Sequence, residues 1–207
     1  MRMGAFTLVI CLVVSLAVSH GELGAQGQQE SGEGALIVGG FNFGLTTAGG
    51  DDFGGVDTGF GGEFTARYLL PTGLSLGLGL GVSSHDVSGF RNDLRFVSLL
   101  GEIRYEVDAG PPALRPFLGA RAGYRGWGID VPINGLSVSA SADGGAVGGF
   151  AGFEAPIGPA LSVEAAVHGG LMRFGDASAA GFTGTDTSLD GHFARIQVGV
   201  SIKRSMF

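Results

Sequence analysis

Cysteine is almost missing from this 207-residue chain. Cys11, the only one, lies in an apolar N-terminal run, so the rest of the chain has no disulfide, thiolate nucleophile or lipid-anchor cysteine. Lysine occurs once, at Lys203, against eleven arginines. Charged residues make up only 15% of the chain and the net charge is −7, which argues against nucleic acid as a partner. Proline is sparse, and the glycines follow no three-residue period, so collagen is excluded. Beyond residue 25 no apolar run approaches the roughly 18 residues of a transmembrane helix. What is abundant is glycine: 41 residues, against an ordinary share of about 7%. Each glycine in a helix costs about 1 kcal/mol relative to alanine, so an ordinary helical domain is disfavoured. With 44% hydrophobic residues the chain is too apolar to be disordered, and its length suits one domain.

The N-terminus reads as an export signal. Met1–Arg2–Met3 is a short basic start, and residues 5–18 (AFTLVICLVVSLAV) are an apolar core of signal-peptide length. Small residues follow, with cleavage expected after Ser19 or Ala25; the alternative is a retained anchor. The expected organisation is a signal peptide over 1–25, a flexible periplasmic tail over 26–33 and one β domain over 34–207.

Period-two alternation dominates the remainder. Leu74, Leu76, Leu78, Leu80 and Val82 share one face, with Ser75, Gly77, Gly79, Gly81 and Ser83 on the other. Val97, Leu99, Ile103 and Tyr105 oppose Ser98, Glu102, Arg104 and Glu106. Ile196, Val198, Val200 and Ile202 oppose Arg195, Gln197, Ser201 and Lys203. Eight such strands are expected near 34–44, 58–69, 74–84, 94–107, 115–127, 144–155, 161–174 and 192–204. Each is near the 9–11 residues that carry a tilted strand across a bilayer. Short Pro/Gly connectors (Leu70–Gly73, Asp108–Ala113, Pro156–Ala160) alternate with longer polar ones, the layout of an outer-membrane barrel. The fold expected is all-β: a closed, antiparallel, up-and-down transmembrane barrel of eight strands.

Alternation alone also suits a soluble sandwich or lipocalin, with the faces reversed. The charges favour the membrane. Glu63, Glu102 and Glu164 share inward-facing registers with Arg67, Arg104, Arg121, Arg125, Arg195, Lys203 and His168, so paired charges are expected to fill the interior as a polar network rather than a pore. Arg121 and Arg125 are expected to pair with Glu63, Glu102 or Glu164. Aspartate, by contrast, concentrates in the long loops. Phe41, Phe43, Phe60, Tyr124, Phe174 and Phe193 toward the long loops, and Tyr68, Tyr105 and Phe153 toward the short turns, suggest two interfacial girdles; the alternative is ordinary core aromatics. Small inward residues such as Gly77, Gly119, Gly152 and Gly199 leave room for long side chains in a barrel of this size.

On this architecture, and on a last strand Ile196–Ile202 followed by the C-terminal Phe207, the chain resembles the small eight-stranded outer-membrane β-barrel family of the OmpA-domain and OmpX kind. The resemblance implies a bacterial outer-membrane location, contact with membrane lipid and lipopolysaccharide, and a terminal aromatic read by the barrel-assembly machinery. Here Phe207 is odd-numbered while the lipid-facing register is even, so Arg204 stands where the aromatic would fall.

A catalytic set is not legible. Glu164 and His168 share a face, but four strand residues separate them by about 13 Å. His85 and His192 lie near loop ends without a serine and acid at a defined spacing, and His20 leaves with the signal or begins the tail. Asp51, Asp52 and Asp57, and again Asp176, Asp186 and Asp190, fit no EF-hand and read as an acidic rim. No enzyme activity, cofactor or metal is therefore expected. The expected role is structural or interactive through acidic extracellular loops, with an extracellular protein or ligand as a further partner and a monomeric state. The alternatives are a lipid-A-modifying enzyme, a narrow channel and a secreted ligand-binding barrel.

Asn134–Gly135 is the strongest hairpin signal, because both residues accept the positive φ of a type I′ turn. A turn there pairs Ile133 with Leu136, Val131 with Val138 and Ile129 with Ala140, and extends into the membrane register as Ala122 with Val147. Strands five and six are thus expected to protrude as a ribbon. Trp127, Ile129, Val131 and Val138 would then face the barrel axis, either as a lid or as a contact surface.

Overall fold

The computed structural model describes residues 36–89, 93–107, 114–133, 136–175, 177–179, 182–183 and 188–205. The expected signal peptide (1–25), periplasmic tail (26–33), Asn134, Gly135, Asp176, Asp186 and Phe207 lie outside them. Ten strands follow in chain order: β1 Leu36–Gly49, β2 Gly59–Leu69, β3 Leu74–His85, β4 Leu94–Glu106, β5 Arg115–Ile133, β6 Leu136–Pro156, β7 Leu161–Phe174, β8 Ser178–Ala179, β9 Phe182–Thr183 and β10 Leu189–Ser205. The two-residue strands β8 and β9 form a small ribbon beside β6 at Ala140 and Ser141. The eight long strands pair antiparallel with their chain neighbours, and β10 pairs with β1, so the sheet closes into a barrel without an edge.

The registers set the shape. Stepping across the strands from Leu36 through Leu69, Ser75, Arg104, Gly119, Phe150, His168 and Arg195 returns to β1 at Thr46, ten residues further along. With about 3.3 Å per residue and about 4.8 Å between strands, that stagger tilts the strands by about 40°. Eight strands enclose an interior that side chains can fill.

The two faces are sorted by solvent. Leu78 is 60% exposed and Ile196 66% exposed, and Leu76, Leu99, Ile103, Leu118, Val147, Val167, Val198 and Ile202 stand out beside them. Glu63, Glu102, Arg104, Glu154 and Glu164 are buried inside. Reciprocal packing across β5 and β6 fills the wall. Phe117 pairs with Gly152, and Gly119 with Phe150. A Cβ on Gly119 would stand 2.3 Å from the Phe150 ring, and one on Gly152 2.7 Å from the Phe117 ring. Glycine therefore lets each phenylalanine lie flat against the neighbouring strand, leaving its inner face free for stacking.

The aromatic expectation divides. Phe41, Phe43, Phe60, Tyr124, Tyr68, Tyr105 and Phe153 are on the outer face, where Phe41, Phe43, Phe60 and Phe64 adjoin in one patch. Phe174 and Phe193 are not girdle residues: both are buried inside. The cause is strict alternation, since Phe174 shares the parity of Glu164 on β7 and Phe193 that of Arg195 on β10. They belong to an apolar plug at the long-loop end with Leu94, Phe96, Leu100, Met172 and Phe53. Phe53 comes from the short 3-10 helix Asp51–Phe53 and packs on Phe96 and Phe174. The interior is thus only partly filled by charge.

The β5–β6 ribbon has the expected register, including Ile133 with Leu136, Val131 with Val138, Ile129 with Ala140 and Ala122 with Val147. At its base Trp127 and Ile129 are half-buried and pack against the apolar plug, as a lid would. Val138 is half-buried, and the exposed Asp130 accepts a hydrogen bond from the Ser139 hydroxyl.

Two outcomes follow from this geometry. Val198→Arg, on the lipid face, should lower the refolding stability in lipid by about 2–4 kcal/mol, with Val198→Leu close to neutral; a neutral arginine would reverse the face assignment. Hydrogen exchange in micelles should show slow amides on both strands across the Val131–Val138 pair, and uniformly fast exchange over 128–142 would remove the ribbon.

Candidate functional site: the charged interior

Among the described residues, eleven inward charged groups enter the interior from six strands: Glu63 and Arg67 on β2, Glu102, Arg104 and Glu106 on β4, Arg121 and Arg125 on β5, Glu154 on β6, Glu164 on β7, and Arg195 and Lys203 on β10. Nine of them form one chain of alternating sign. Lys203 pairs with Glu154. Arg104 donates to Glu154 at 2.7 Å and to Glu164 at 3.0 Å. Arg67 donates to both oxygens of Glu164 and lies 3.9 Å from Glu102. Arg121 forks, with 2.9 and 3.1 Å bonds to Glu63 and a 2.9 Å bond to Glu102. Arg195 ends the chain, donating to Glu63 at 3.0 Å. Glu106 flanks it, 3.6 Å from Arg104 and 4.0 Å from Lys203. Each charge in the chain touches at least one of opposite sign, which makes burial tolerable.

Stacking adds a second layer. The Arg104 guanidinium lies 3.6 Å over the Phe117 ring and that of Arg121 5.1 Å from Phe150. His168 stacks on the same Phe150 ring at 5.2 Å. Planar guanidinium suits a forked bond at its edge and a ring on its face together, which an ammonium does not. The scarcity of lysine has its reason here.

Two members depart from the sequence reading. Glu154, overlooked in it, is 0% exposed and joins Arg104 to Lys203. Its signal was the even register of β6, shared with Gly148 and Gly152. Arg125 does not pair with Glu63, Glu102 or Glu164 among the described residues; its guanidinium sits between the Phe96 and Phe193 rings, at 4.7 and 4.8 Å. It has reached the level of the apolar plug, beyond the last carboxylate.

Between plug and network lies a cavity of about 30 Å³, lined by Glu63, Arg121, Arg125, His168 and Arg195 among others. Near it the Ser83 hydroxyl is 3.1 Å from His85 Nε2, while His85 Nδ1 is 3.0 Å from the Asp57 carbonyl. Ser-x-His in a strand puts both side chains on one face, a signal the sequence reading passed over. On the loops, Asp52 accepts the Asp190 amide at 2.9 Å. Among the described residues no three ligand-type side chains converge as a metal site.

An apolar outer wall around a charged interior is the inverse of a soluble barrel, and it is stable where hydrocarbon is the outer solvent and a closed sheet pairs the strand backbones with one another. Residues 9–203 match the family described as outer membrane protein beta-barrel domain. The chain belongs to the outer-membrane protein β-barrel family. As a barrel of that family it resides in the bacterial outer membrane, in contact with its lipid. Solved structures with the same fold include the following three. Neisserial surface protein A is 18% identical, with a TM-score of 0.57, over 82% of this chain and 99% of that one. OprG from Pseudomonas aeruginosa is 18% identical, with a TM-score of 0.57, over 83% and 96%. Ail, the attachment invasion locus protein of Yersinia pestis, is 13% identical, with a TM-score of 0.55, over 83% and 99%. No curated protein matches by sequence.

In this outer-membrane barrel, Glu164→Ala should leave Arg67 and Arg104 facing each other without their shared carboxylate. A loss of about 3–5 kcal/mol in urea unfolding from detergent is expected. Replacing Glu164 and Arg67 together by leucine should cost less than Glu164→Ala alone; an unchanged midpoint in Glu164→Ala would show that the network carries no stability.

Proposed function

We propose that this outer-membrane barrel is a sealed scaffold whose role is structural or interactive and is exerted at its extracellular surface. The observation that carries this reading is a paired one. The interior is closed by its own side chains, while β5 and β6, with 19 and 21 residues, run well past the 9–11 that a bilayer needs. The alternating ion chain obstructs the shaft and the Phe53–Phe96–Phe174 plug stops the mouth. Outside, the exposed carboxylates of Asp51, Asp52, Asp57, Asp86 and Asp93 ring the long-loop end. Such a rim suits divalent-cation bridges to lipopolysaccharide phosphates, or a basic face on an extracellular protein.

The reading is that of a non-enzyme. The Ser83–His85 pair supports it, because His85 is 1% exposed and the adjoining cavity has no room for a lipid ester. A channel is the competing reading. Reconstituted in planar bilayers at high salt, the refolded protein should give no single-channel steps. Stable, reproducible conductance would overturn the sealed scaffold in favour of a pore.

A further inference from the structure

Inside the barrel the cations outnumber the carboxylates. Arg67, Arg104, Arg121, Arg125, Arg195 and Lys203 face Glu63, Glu102, Glu106, Glu154 and Glu164, leaving one positive charge uncompensated among the described residues. The excess is local. Of the groups lining the 30 Å³ cavity, three are guanidiniums and only Glu63 is a carboxylate. Glu63 is already committed to Arg121 through both oxygens and to Arg195 through one. Arg125 makes no ion pair or hydrogen bond among the described residues.

Three residues with unpartnered nitrogens line the same cavity. Nε and Nη2 of Arg195, Nε of Arg125 and both ring nitrogens of His168 are buried without a hydrogen-bond partner. The Phe96 and Phe193 rings cover the faces of the Arg125 guanidinium, but its N–H groups point along the edges, where a ring offers nothing. A neutral imidazole carries one N–H, so His168 can supply one further donor. A cavity of this volume holds one or two waters. Water would satisfy the N–H groups but leave the charge. A halide, only slightly larger than a water and accepting bonds from several directions, does both.

We propose that the cavity binds one small monovalent anion of the chloride type, held by the guanidinium groups of Arg125 and Arg195 with the His168 ring as a third donor. The site takes a halide in preference to a tetrahedral oxyanion, which exceeds the volume. The Glu63 carboxylate at the wall and the small volume limit it to one ion. An ion bound there contributes to the folded state.

The test is to refold the full chain in sodium bromide, crystallise it and collect diffraction at the bromine edge. The expected result is one anomalous peak in the cavity beside Arg125 and Arg195. A map with no peak there, or with peaks at the outer surface alone, overturns the proposal. In solution, each tenfold rise in chloride above the dissociation constant should raise the folded-to-unfolded ratio by up to tenfold relative to sodium gluconate at equal ionic strength. Arg125→Leu, which suits the space between Phe96 and Phe193, should abolish that difference, with heat-modifiable gel mobility verifying that the variant folds. A chloride effect of equal size in Arg125→Leu also overturns it. Should the variant fail to fold, the bromide map of the unaltered chain decides.

Discussion

The barrel rests on one electrostatic constraint: a charge enclosed by a sheet whose outside is hydrocarbon must find its counter-charge within the shaft. The chain from Lys203 through Glu154, Arg104, Glu164, Arg67, Glu102, Arg121 and Glu63 to Arg195 meets that constraint with strict sign alternation. Its two ends are on the same strand, β10, eight residues apart, which corresponds to about 26 Å along the strand. The ion chain therefore runs much of the length of the barrel and crosses between strands that do not pair. The backbone ladder joins neighbours around the wall; the ion chain ties opposite walls together.

Glycine and phenylalanine make room for it. Large rings over glycine across β5 and β6 keep the wall thin while giving Arg104, Arg121 and His168 flat surfaces to stack on. Arginine serves throughout because one planar group can fork to two carboxylates and still cover a ring. The glycine richness that excluded an ordinary helical domain thus has a positive cause. A narrow shaft can hold five carboxylates and six cations only where the intervening inward positions are nearly empty.

Polarity changes along the shaft. The short-turn half is ionic, and the long-loop end is an apolar core of the kind a soluble protein would have, closed from above by Phe53. Arg125 stands at the boundary, with aromatic rings where its fellows have carboxylates. This division sets two unlike obstructions in series along the shaft. It also places the half-buried base of the β5–β6 ribbon directly on the plug, so the extracellular surface is mechanically continuous with the barrel interior.

Much of this was legible in the residues themselves, where the deciding interaction is local or periodic. Alternation of period two assigned Leu78 and Ile196 outward and Glu63 and Arg121 inward. The hairpin signal at Asn134–Gly135 carried the register of nineteen paired positions from Ile133–Leu136 to Arg115–Glu154, because the turn expected from it leaves no slack. The same alternation held Glu154, Phe174 and Phe193 inside; reading them as anything else meant judging them by residue type and nearness to a strand end rather than by parity. Pairing across the barrel was decided only by tertiary structure. Which arginine meets which glutamate depends on the ten-residue stagger around the ring, a property of all eight registers together. Arg125 ends beyond the carboxylates, and Phe53 enters the mouth from a loop with no period at all, for the same reason. Distance across a closed sheet is written in no single stretch of chain.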